Sequence, residues 1–177
     1  MLIQSGARTD SSIEVWLALN VKNGEMIAVK QYDLIVPSPE LAQKQKDRMN
    51  AIKAQLSVLC GLQHPNIDQL LGYEETTINL NVFFEYIPGG SIRSVINKDV
   101  SFSEDVMKSF TGQILCGLEY LHWRGIWHGD VHTDHILVDS MGICKLSSIG
   151  TRDVTCAYYL ESSGVEDVKS APSGRDG

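Results

Sequence analysis

The 177-residue chain is 43% hydrophobic and 21% charged, enough apolar material for one core of ordinary size and too much for an intrinsically disordered protein. Lys and Arg number 15 against 22 Asp and Glu, so the net charge is −7. That balance argues against a general nucleic-acid binder and against a polybasic membrane anchor.

The first ten residues, MLIQSGARTD, lack a basic stretch followed by an apolar one. No run approaches the roughly 20 apolar residues of a membrane span, so no membrane partner is expected and the cytoplasm is the default location. Cys60, Cys116, Cys144 and Cys156 contain no CxxC pair, and three of them lie in apolar segments. Reduced, buried thiols are the expectation, not a disulfide framework.

Residues 13–20 (IEVWLALN) and 25–32 (EMIAVKQY) read as strands, with Asn23-Gly24 supplying the positive φ angles of a tight hairpin. After Pro37 and Pro39 the period becomes helical: Met49, Ile52, Leu56, Leu59 and Leu62 recur every three or four residues opposite Lys44, Lys46, Asp47, Arg48 and Lys53. Two further apolar segments, about 67–73 and 79–86, complete a small antiparallel sheet before Pro88-Gly89-Gly90 breaks the chain. Ser103 is a good N-cap for a helix whose face runs Val106, Phe110, Ile114, Leu118, Leu121 and stops at Gly125. A short hairpin follows, 135–139 and 143–146, around Ser140-Met141-Gly142. From about 151 the periodicity is lost, and the tail from 153 to 177 reads as disordered.

Four collinear segments, GEMIAVKQ, GLQHPNI, FFEYIPGGSI and GLEYLHWRGIWHGDVHTDHILVD, resemble a eukaryotic protein kinase, most of all the serine/threonine mitogen-activated-protein-kinase kinase kinases. The resemblance covers roughly residues 3–152. It implies an α+β, bilobal kinase-like fold: an N-terminal lobe at 1–86, part of a helical C-terminal lobe at 87–152, and the tail. The activation segment and the helices beneath the C-terminal lobe lie beyond the resemblance, so the helix at 104–122 is expected to expose part of its apolar face.

Residue by residue, the resemblance implies that Lys30 contacts nucleotide phosphates and that Asp130 is the catalytic base. Gly6 and Val15 fall on the Gly-rich loop, Ala28 beside the adenine, Phe84 at the gatekeeper, and Glu85 and Tyr86 at the hinge. Other positions depart from the pattern. Gln4 replaces the first loop glycine, and Gln55 stands for the helix glutamate that orients the lysine. His132 stands where a lysine is usual, His135 where an asparagine holds metal, and Ser148-Ile149-Gly150 where Asp-Phe-Gly is expected. An amide supplies no charge for Lys30, and a neutral imidazole is a poor ligand for Mg²⁺. These replacements predict weak ATP binding at most, no ordinary Mg²⁺ site, no catalysis, and a role through a protein partner, a kinase or a scaffold.

Two other functions suit the residues. His128-Gly129-Asp130 also occurs in active small-molecule phosphotransferases of related fold, which would make the chain an active atypical kinase; the missing acid at Ser148 opposes this. The cluster His122, His128, Asp130, His132, Asp134 and His135 has the donor types of a zinc or iron hydrolase. Its coincidence with the kinase catalytic loop opposes that second reading.

Overall fold

The computed structural model describes residues 2–10, 13–34, 39–98 and 100–149. The tail, Gly150 and Cys156 lie outside the described residues. Five strands form one antiparallel sheet in the order β1-β2-β3-β5-β4: β1 Leu2–Asp10, β2 Ile13–Asn20, β3 Glu25–Asp33, β4 Leu70–Glu75 and β5 Asn79–Glu85. Helix α1, Pro39–Leu59, lies between β3 and β4 in the chain. A two-residue-period burial pattern in β5 drives Leu80, Val82 and Phe84 to one face, where they pack with Tyr32, Met49, Leu56 and Leu70. Thus the helical spacing read at Met49 and Leu56 and the strand alternation of β5 meet in one core.

The β2–β3 hairpin differs from the expected tight turn. Its loop spans residues 21–24, and only Gly24 has positive φ, at 75°, with its N–H donating to the Asn20 carbonyl at 2.8 Å. Asn23 works through its side chain instead, its Oδ1 accepting from the Glu25 N–H at 3.1 Å. Residues 2–10, read from sequence as an impaired phosphate loop, form β1, paired to β2 with register shifts between Ile3 and Ala7 and between Arg8 and Asp10. Irregular spacing and the glycine hid the strand. The strand expected from residue 67 begins at Leu70, because Ile67 bridges to Leu146 instead.

Beyond Pro88-Gly89-Gly90 a short helix that the sequence reading missed, α2 Ile92–Ile96, is capped by Ser91, whose hydroxyl accepts from the Ser94 N–H. Its five residues are too few to display a period. Helix α3, Glu104–Trp123, starts at Ser103, whose hydroxyl accepts from the Val106 N–H, with Glu104 and Asp105 in its first turn. It ends before Gly125, which has φ of 70°. Phe110 and Leu121 pack into a second core with Leu62, Ile67, Ile92, Leu146 and Ile149, and with β6 Ile136–Val138 and β7 Cys144–Leu146. Leu59 touches both cores.

Of the apolar face read from sequence, Phe110 and Leu121 are buried, Ile114 and Leu118 pack partly against the core, and Val106 at the start of α3 is exposed; Leu115 and Trp123 are exposed on its other side. The expectation of buried thiols holds for Cys144 alone among the described cysteines; Cys60 and Cys116 are exposed. Cys60 follows the last turn of α1, and Cys116 lies on the face of α3 turned from the core, so an apolar neighbourhood in sequence did not mean burial. Burial pushes the Cys144 thiol up to about 11, which leaves it protonated and inert.

Candidate functional site

The site forms where β3, α1 and the residues after β7 converge. In the middle of β3, Lys30 pairs with Val15 on one side and Val82 on the other, so its direction is set by the sheet. Its ammonium donates to the Ser148 hydroxyl at 2.9 Å and to Ser147 at 3.4 Å, and lies 4.7 Å from the Phe84 ring centroid. Gln55, Leu56, Asp68, Ser147 and Ser148 line the same small cavity of about 30 Å³. Lys30, Gln55, Phe84 and Ser148 therefore line one cavity, and Ala28 and Val15 flank them along the sheet. Gly6 lies on β1 within the stretch of shifted register.

Asp68 was not singled out from sequence. It is buried, 7% exposed, with Oδ1 lacking any hydrogen-bond partner. Burial raises its carboxyl to about 6, although the Lys30 charge and the Ser147 hydroxyl pull the other way. Burial likewise lowers Lys30, and the Asp68 charge partly restores it. An acid one residue beyond the apolar end of LQHPNI was the available signal, since an ionisable group there enters the interior.

The segment 64–68 also ties the two cores together. Buried Asn66 donates through Nδ2 to the Cys144 carbonyl at 2.9 Å, its own carbonyl accepts from Leu146 N–H at 2.9 Å, and Asp68 N–H donates to the Leu146 carbonyl at 2.9 Å. Gln113 of α3 accepts from Cys144 N–H at 2.8 Å. The Glu85 side chain is engaged within the fold: it accepts from Lys145 at 2.6 Å and from the Gln69 N–H at 2.8 Å, while its own N–H donates to the Gln69 carbonyl. Tyr86 is exposed.

Across the cleft, Asp130 sits among imidazoles. Its side chain is 12% exposed, with Oδ2 3.5 Å from His132 Nε2 and 3.6 Å from His135 Nδ1. His135 Nδ1 lies 2.9 Å from the Asp130 carbonyl, and burial holds its pKa below the usual value. His128 is almost fully buried, accepts from the Asp130 N–H through Nδ1, and is pushed down to about 4 by burial and by His135. It is a neutral packing residue, and His122 stands apart, its ring tilted against Trp127 at 4.7 Å between centroids. So Asp130, His132, Asp134 and His135 form the cluster, while the other two histidines of the sequence-based set do not join it.

A family model for the protein kinase domain matches residues 11–157. The chain is 42% identical over 153 residues to the mitogen-activated protein kinase kinase kinase bck1 of Aspergillus fumigatus, covering 84% of this chain and 9% of that protein. It is 39% identical over 142 residues to MAP kinase kinase kinase mkh1 of Schizosaccharomyces pombe, covering 77% and 12%. With mitogen-activated protein kinase kinase kinase 3 of Arabidopsis thaliana it shares 40% identity over 158 residues, 89% of this chain and 24% of that one. The chain thus spans a quarter or less of the length of these relatives. The crystal structure of Rad53 1-466 in complex with AMP-PNP superimposes with a TM-score of 0.70 at 26% identity, covering 84% of this chain and 38% of that one. A five-stranded sheet with its lysine, a helix behind it and a histidine-glycine-aspartate loop below, matched by the family over 147 of 177 residues (11 to 157 inclusive), place this chain in the protein kinase domain family.

Proposed function

We propose that this chain is a kinase domain that has lost phosphotransfer and acts, through protein contacts with a kinase or a scaffold, in kinase signalling. The observation that carries the reading is the Lys30 ammonium bonded to the hydroxyls of Ser147 and Ser148, where the family has an aspartate that anchors a bridging metal.

The donor set does not fit magnesium. Mg²⁺ takes oxygen ligands in an octahedron, whereas His135 offers an imidazole and the Ser148 hydroxyl already accepts from Lys30. No step of the reaction is therefore assigned to that ion. ATP, bound in Rad53 as its AMP-PNP analogue, has Lys30 to meet its phosphates here, with Ala28 and Val15 beside the adenine position. Without a held metal the triphosphate charge is poorly compensated, which supports weak binding at most. Removing one preorganised electrostatic group costs about 10² to 10³ in rate, and Gln55, His135 and Ser148 each replace one.

The packing positions, in contrast, are intact: Asn66, Ile67, Leu121 and Leu146 are buried, and the Asn66 Nδ2 donates to both Gln113 and the Cys144 carbonyl. A fold kept while its chemical residues have changed supports a binding role. The test is a phosphate-transfer assay with Mg²⁺-ATP beside a thermal-shift titration, with Lys30→Ala as control. No Lys30-dependent transfer is expected; transfer that needs both Lys30 and Mg²⁺ would overturn the proposal.

A further inference from the structure

The replacements that remove a magnesium site build another site in its place. His135 N–H donates to the His132 carbonyl at 2.9 Å, a tight turn that sets both rings on one side, with centroids 3.9 Å apart. The Asp130 carboxylate faces them. One nitrogen from each ring and a carboxylate oxygen lie within 4.8 Å of one another. We propose that Asp130, His132 and His135 bind one Zn²⁺ ion, with water completing a tetrahedron.

Donor chemistry selects the metal. Two imidazoles and one carboxylate suit zinc, whereas Mg²⁺ and Ca²⁺ prefer oxygen alone. Spacing agrees as well. Zn–N and Zn–O bonds of about 2.0–2.2 Å put tetrahedral donors about 3.3 Å apart, and Asp130 Oδ2 is already 3.5 Å from His132 Nε2. Closing the 4.8 Å span needs a swing of roughly 1.5 Å by one half-buried ring.

The outer shell is in place for both rings. Asp134 engages the outer nitrogen of His132, its N–H donating to Nδ1 at 3.3 Å and its Oδ2 lying 3.2 Å from the same atom, so Nε2, 3.5 Å from Asp130 Oδ2, is the nitrogen left to ligate. The Asp130 carbonyl, 2.9 Å from His135 Nδ1, is placed to accept that ring's hydrogen in the tautomer that presents Nε2 to a metal. Asp130 and Asp134 supply two negative charges, and the lysine that the resemblance expects at position 132 would have repelled a cation. The site stands whether or not the chain transfers phosphate, although zinc on Asp130 would also block that carboxylate from a substrate hydroxyl.

The experiment is calorimetric titration of the chain with Zn²⁺ in a background of Cys60→Ser, Cys116→Ser and Cys156→Ser, which removes competing thiols. One equivalent should bind, with Mg²⁺ in excess failing to displace it. His132→Ala with His135→Ala should abolish that binding, and Asp134→Asn should weaken it by about 10-fold. If the alanine pair does not fold by circular dichroism, His132→Asn with His135→Asn takes its place. No zinc bound, one equivalent persisting in the histidine variants, or displacement by Mg²⁺ would each overturn the site.

Discussion

The Lys30 ammonium donates to the Ser148 hydroxyl at 2.9 Å, and Ser148 holds a φ of 60°, the one positive value among the described residues other than glycine. A left-handed serine costs on the order of 1 kcal/mol, and asparagine or aspartate tolerates that conformation better. Ser148→Asp therefore suits the backbone and sets a carboxylate beside Lys30. Combined with His135→Asn, it should introduce a Mg²⁺-dependent thermal shift with ATP that the parent chain lacks. Equal shifts with and without Mg²⁺ in the double variant would remove these two positions as the cause of the metal deficit.

Asp68 and His128 tilt stability in opposite directions with pH. Asp68 titrates near 6 folded and near 3.8 unfolded, so stability is greatest below 3.8 and falls as pH rises through 6, by up to about 3 kcal/mol. His128 titrates near 4 folded against 6.5 unfolded, so its contribution is complete above 6.5 and is lost as pH falls through 4. Over the shared window the two slopes offset each other. Asp68→Asn should leave a fold that weakens on acidification, with any gain at neutral pH held below about 3 kcal/mol because the Lys30 ammonium loses its opposite charge. Urea midpoints across that range check both the gain and the new slope.

Half-buried Lys30 and buried Asp68 interact as opposite charges within one cavity. In a double-mutant cycle, Lys30→Met and Asp68→Asn should couple by about 0.5–3 kcal/mol, Lys30→Met alone being the more damaging because it strands the carboxylate. Additive effects on the denaturation midpoint would show that the two do not sense each other.

Two glycines should refuse a methyl group. A Cβ at Gly89 would lie 2.1 Å from the Val138 carbonyl oxygen, and one at Gly117 would lie 2.8 Å from the Asn66 carbonyl and 2.9 Å from Leu146. Gly117→Ala is expected to cost about 1–3 kcal/mol and Gly89→Ala more, since its backbone obstacle is closer, 2.1 Å against 2.8 Å. Gly112, with open space around it, is the control: Gly112→Ala should be neutral or stabilising. Thermal melts of the three variants rank them.

The strands β2, β3 and β5 and the helices α1 and α3 were legible because each is long enough to show its period and carries its own punctuation, such as Ser103 before α3. Strand β1 was not, because its pairing shifts register twice. At the site, Lys30, Gln55, Phe84 and Ser148 came from motif spacing and do meet in space. Asp68 was invisible to that method, since it is no motif position; its importance comes from a burial that only the packing of 64–68 on β7 reveals. Glu85 was legible in place but not in direction, for nothing in the sequence linked it to Lys145, 60 residues away.

Strand β7 is held along both edges, by β6 on one and by the main chain of Asn66 to Asp68 on the other. A ribbon clamped twice has no slack to pass on. Ser147, whose N–H donates to the His135 carbonyl, leaves β7 already moored to the catalytic loop. Any partner that pulls on the chain after Leu146 must therefore drag the loop and the segment 66–68 together, so force there would be felt at Lys30, bonded to Ser147 and Ser148, as a displacement of the floor beneath it.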